Sequence, residues 1–190
     1  MPRIFSIKPG ITLKGRKFKG IRGFAGKPTH PPLTDIPIGA YILAAVFDIL
    51  SFIWGDSTVG RDLFRAATYV IIAGAIVSLL TALTGFWDWL KSLEKHTQAW
   101  RTANWHMAVM LTVTAIVVVD IIVRLGDFDT ARSASGVVMV LSAIVAGLVA
   151  YGASYGGELV FDYEFNVEQN YGGVWAKSET DLYPKDVSDS

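Results

Sequence analysis

The chain has 190 residues, 52% of them apolar and 18% charged, with a mean hydropathy of +0.39. A soluble domain carries roughly a quarter charged residues, so the composition argues against a water-soluble globule and for a protein that faces lipid. Net charge is zero and cysteine is absent, which excludes disulfides, thiolate-held iron–sulfur clusters, covalent c-type haem and thiol nucleophiles within the chain.

The charge is unevenly placed. Eight Lys/Arg and no acid lie in Met1 to Thr34, whereas the last stretch, from Gly157 on, is mostly acidic. No apolar run follows the basic start, so no cleaved signal peptide is expected. Phe18, Ile21 and Phe24 recur every third residue among Lys14, Arg16, Lys17, Lys19 and Arg22. This pattern predicts a membrane-surface segment over residues 1–29 whose partners are anionic lipid headgroups, with no nucleic acid.

Four apolar stretches follow, at about residues 36–54, 66–87, 103–123 and 134–155. Each is long enough to cross a hydrocarbon core about 30 Å thick at about 1.5 Å per residue. The fold class expected is therefore all-α, an integral membrane four-helix bundle occupying residues 30–157. With four spans, the N-terminus, the loop between the second and third helices and the C-terminus share one side, and thirteen of the seventeen Lys/Arg fall there. The positive-inside rule places that side in the cytoplasm. Small residues repeat at Gly74, Ser78 and Ala82, and again at Ser142, Ala146 and Ala150, which favours close helix contact in lipid. Ala40, Ala44 and Asp48 share a ridge of the first helix, which turns Asp48 towards its neighbours. Beyond Gly157, Leu159, Phe161, Tyr163, Phe165 and Val167 alternate with mostly polar residues, so an extended arm and acidic tail are expected over 158–190.

The polar residues fall in two groups. At the cytoplasmic entry, His30-Pro31-Pro32-Leu33-Thr34-Asp35-Ile36-Pro37 reads as an extended approach, an Asp35 cap and a proline in the first helical turn. None of those functions requires an imidazole at position 30. His106, at the start of the third helix, and Asp88, at the inner end of the second, fall at the same level. His30 and His106 are therefore candidate axial ligands of a b-type haem, with Asp35 and Asp88 as carboxylates that could orient a ring N–H. The competing readings are interfacial residues that satisfy helix ends and a divalent-metal site built from the same set. In the outer half of the membrane, Asp120 is one turn from Arg124 and is expected to pair with it at the outer surface. Asp48 has no such neighbour in its own helix. A hydroxyl partner on another helix or a place in a proton path would account for it. His96 reads as a solvated loop residue, and no hydrolase or phosphate-loop motif is present.

The HPPLTDIPIG block, Gly85 with Asp88, His106 and the GGELVF stretch from Gly156 together resemble a bacterial family of small four-helix membrane proteins, a domain of unknown function. The resemblance covers about residues 30–167. Some relatives look fused to Rieske iron–sulfur domains, which implies a redox setting for the family; this chain lacks the Rieske Cys and His pairs. It also departs from relatives that carry a second His at the place of Asp35, or a His at the place of Tyr163. Three functional readings follow: a redox-linked or electron-transfer subunit that binds b-type haem, a non-catalytic accessory subunit of a larger membrane complex, and a proton-coupled transporter that uses Asp48.

Overall fold

The computed structural model describes Gly20, Ile21 and residues 28–167. Four helices fill it: α1 (His30–Trp54), α2 (Thr58–Ser92), α3 (Gln98–Gly126) and α4 (Gly136–Phe161). All four are long and apolar enough to cross a membrane. α1 packs along α2, α3 along α4 and α4 back against α1, while α2 and α3 share the thinnest interface. α1 and α3 therefore face each other across a diagonal of the bundle.

The helices outrun the spans read from hydropathy, because polar residues continue them into the interface. α2 has 35 residues, about 52 Å at the helical rise, against a hydrocarbon core of about 30 Å. Its start is set by Ser57, whose side chain accepts the Gly60 N–H, as Thr97 and Ser135 do for α3 and α4. α1 begins without such a cap, at His30. This corrects the reading of its approach: Pro31 and Pro32 are in the first turn, where a missing N–H costs nothing, and Asp35 is an exposed residue within the helix.

Pro37 thus lies inside α1 and is buried. It cannot donate to the Leu33 carbonyl one turn back. The Thr81 hydroxyl of α2 lies 3.3 Å from that carbonyl and 3.1 Å from the Val77 carbonyl of its own helix, so it can donate to either. Close approach of the same two helices needs Gly74, where a Cβ would stand 2.7 Å from Ala40 Cβ and 3.1 Å from the Tyr41 ring. Gly74 and Ser142 are buried as the small-residue pattern requires, but Ala82 and Ala150 are exposed.

At the far end, the fully buried Ser51 hydroxyl donates to the Gly60 carbonyl (2.6 Å) and accepts from the Ala134 N–H (2.8 Å), joining both turns of that end. The extended arm does not begin at residue 158. α4 continues to Phe161, with Leu159 buried against the bundle, and a turn follows in which Phe165 N–H donates to the Leu159 carbonyl (2.8 Å). Alternation over so short a stretch also suits a helix end with one face on the bundle. The basic segment holding Lys14, Arg16, Lys17, Lys19 and Arg22, and the tail beyond residue 167, lie outside the described residues.

Polarity is inverted relative to a soluble bundle. Ile53, Leu83 and Ile122 are 68%, 67% and 66% exposed, while Asp48, Asp120 and Arg124 are between 0% and 1%. Such a surface is stable against acyl chains, not against water.

Candidate functional site

Two polar layers lie inside the bundle. The first contains the imidazoles of His30 on α1 and His106 on α3, which are on diagonal helices, each partly buried. They lie within electrostatic reach of each other.

Both rings are held in the same way. His30 Nδ1 lies 3.0 Å from the Thr81 carbonyl of α2, and His106 Nδ1 lies 2.8 Å from the Gly152 carbonyl of α4. A carbonyl can only accept, so each Nδ1 carries the proton and each Nε2 is left with its lone pair free. Among the described residues no hydrogen bond reaches either Nε2. One turn beyond each accepting carbonyl is a glycine against which the ring lies. A Cβ on Gly85 would stand 2.6 Å from His30 Cε1, and one on Gly156 would stand 3.3 Å from His106 Cε1. Two helix pairs thus repeat one device: a carbonyl fixes the tautomer, and a glycine makes room for the ring.

The carboxylates of that layer do other work. Asp88 is buried at the end of α2, close to the Ile21 backbone. The Ile21 carbonyl in turn accepts from the Thr29 N–H (3.1 Å) and hydroxyl (2.9 Å). Asp88 therefore lies beside the segment that precedes α1, and the residues that orient the imidazoles are Thr81 and Gly152. Asp35 is exposed. Beside His106, the Trp105 indole donates to the Tyr155 hydroxyl (2.9 Å), which lies 2.6 Å from that of Tyr151. Trp89 of α2 reaches Asn104 of α3 at 2.8 Å. His96 is exposed in its loop, beside the Trp100 ring. Among the described residues, no group of three or more His, Asp or Glu converges in a way that could hold a metal ion.

The second layer is at the other end. Arg124 lies inside α3 and is buried, which corrects the expectation of an ion pair at the outer surface. Its Nε and Nη2 donate to Asp120 Oδ1 (3.3 Å) and Oδ2 (2.8 Å), and Nη2 also lies 2.9 Å from Asp48 Oδ2. Ser142 of α4 and Thr68 of α2 complete the cluster, at 3.0 Å from Nη2 and 3.3 Å from Nη1. All four helices meet there, and Asp48 has a cation as well as the hydroxyl partner expected for it. Pairing Asp48 with Arg124 spans 76 positions of sequence, so only the i,i+4 pair with Asp120 was readable beforehand. The Thr81/Gly85 and Gly152/Gly156 pairs could have signalled the imidazole slots, had the helix register been known.

Four lipid-facing helices around a polar interior define a multi-pass integral membrane protein. The family model described as predicted membrane protein, DUF2231, matches residues 26–169, all four helices and both polar layers included, and the chain belongs to that family. No curated protein and no solved structure matches the chain significantly.

Proposed function

We propose that this protein binds a b-type haem through His30 and His106 and serves as an electron-transfer subunit of a bacterial cytoplasmic membrane, with both termini inside the cell. One observation carries the reading. Two imidazoles on diagonal helices at one end of the bundle each have Nδ1–H anchored on a carbonyl and Nε2 left bare. That is the state in which histidine ligates a metal: neutral, oriented, with its other nitrogen held by an acceptor.

The surrounding residues fit such a group. Gly85 and Gly156 leave no side chain against the rings, and the donor set contains no thiolate, which suits non-covalent haem. Haem held by two imidazoles supplies one-electron exchange between ferric and ferrous iron. The chain's own part is to fix both tautomers, set the ring planes through Thr81 and Gly152, and hold the site near the membrane surface, where a partner can approach. The charge asymmetry supports placing that end on the cytoplasmic side.

The test is the absorption spectrum of the detergent-purified protein, produced with ample haem and recorded oxidised and then reduced. The reading predicts a Soret band and sharpened bands on reduction. A colourless preparation contradicts it and leaves the non-catalytic accessory role.

A further inference from the structure

The outer layer contains more acid than base. Asp48 comes from α1, Asp120 and Arg124 from α3, and α2 and α4 contribute only the neutral Thr68 and Ser142. Arg65, one turn before Thr68, stacks on Phe128 instead. With both carboxyls ionised, the cluster would hold one uncompensated negative charge, with side chains that are 0% exposed, inside a bundle surrounded by lipid. Uncompensated buried charge is among the most unfavourable arrangements a protein can hold.

The hydrogen count points the same way. Ser142 Oγ lies 2.5 Å from Asp48 Oδ2 and 3.0 Å from Asp120 Oδ2. Its single hydrogen can serve only one of those contacts. The other needs a hydrogen on a carboxyl. Asp120 is the ionised partner, since it takes the guanidinium through both oxygens. Asp48 Oδ1, by contrast, is buried with no hydrogen-bond partner among the described residues. A lone ionised oxygen there would have nothing to stabilise it.

We propose that Asp48, Ser142 and Asp120 form a one-proton site, in which a single proton is shared between the two carboxyls through the serine hydroxyl and Arg124 is the fixed counter-charge. In the resting arrangement Asp48 Oδ2–H donates to Ser142 Oγ, and Ser142 O–H donates to Asp120. Transfer breaks the Asp48 O–H bond as Ser142 Oγ takes that proton, and breaks the Ser142 O–H bond as Asp120 Oδ2 takes the other. The carboxylate charge moves from Asp120 to Asp48, and the total is unchanged. The site is separate from the imidazole pair: His30 and Asp48 are about 27 Å apart along α1 at the helical rise.

Infrared spectroscopy of the full chain in nanodiscs at neutral pH, in H2O and D2O, tests this through the carbonyl stretch of a protonated carboxyl. The wild type shows the band with its deuterium shift. Asp48→Asn abolishes it, because the remaining Arg124–Asp120 pair is neutral, and Asp120→Asn abolishes it for the same reason. Asp88→Asn, at the opposite layer, leaves this band in place, and Ser142→Ala moves its frequency. Absence of the band in the wild type, or its survival in both cluster variants, overturns the one-proton site. An unchanged frequency in Ser142→Ala overturns the sharing through serine.

Discussion

Arg124→Met removes the cation that joins α1 to α3, and its cost can be estimated from the contacts it breaks. The guanidinium reaches Asp120, Asp48, Ser142 and Thr68, all buried, and the two ion pairs have side chains 0% exposed at 2.8 and 2.9 Å. Removing one partner of a buried pair costs about 3–5 kcal/mol, because the remaining charge stays desolvated. For a chain of this size that is roughly 6–20 °C in Tm, taking about 2–4 °C per kcal/mol. Asp48→Asn behaves differently. The amide still accepts from Arg124 and leaves one carboxylate against one guanidinium, so its cost is about 1 kcal/mol or less. Thermal unfolding in one detergent, followed by circular dichroism, measures both. Equal shifts for the two variants, or an Arg124→Met shift below about 1 kcal/mol, would refute the view that charge compensation holds the layer together.

Gly85→Leu is expected to push the His30 ring off the Thr81 carbonyl and to abolish haem binding while helicity persists, whereas Gly39→Ala, with nothing within 4 Å of its added Cβ, leaves binding intact. Haem content per protein and far-ultraviolet dichroism read the two effects separately. Thr81→Val leaves the Leu33 carbonyl without its side-chain donor and costs about 1 kcal/mol. Because Pro37→Ala restores a backbone N–H one turn on, the same change costs less in the Pro37→Ala background. Additive costs in that double-mutant cycle would show that Thr81 does not serve the proline gap.

Much of the architecture was legible because membrane helices must satisfy their own backbone and present apolar side chains to lipid. Four apolar runs were sufficient to count the spans. Their ends were less legible, since hydropathy stops at the edge of the hydrocarbon while caps such as Ser57 and Thr97 lie beyond it. Proline misled at the entry to α1: Pro31 and Pro32 suit a first helical turn as well as an extended approach, and the compensation for Pro37 comes from another helix. GGELVF misled through alternation, which over a few residues does not separate a strand from a helix end.

The candidate residues were legible by type and depth, and their partners were not. His30, His106 and Asp48 stood out because nothing in their own helices required them. What each touches depends on the register between helices: Thr81 and Gly152 offer carbonyls, and Arg124 turns inward from α3 instead of towards the surface. The surroundings of Asp88 were hidden for the same reason, because its neighbour Ile21 is far away in sequence.

The central claim is that both imidazoles ligate one haem, and electron paramagnetic resonance of the oxidised protein measures this most directly. The account predicts a low-spin ferric signal of bis-imidazole ligation in the wild type, converted to high-spin in His30→Ala and equally in His106→Ala. A low-spin signal that survives both substitutions, or protein that takes up no haem when it is supplied, contradicts it.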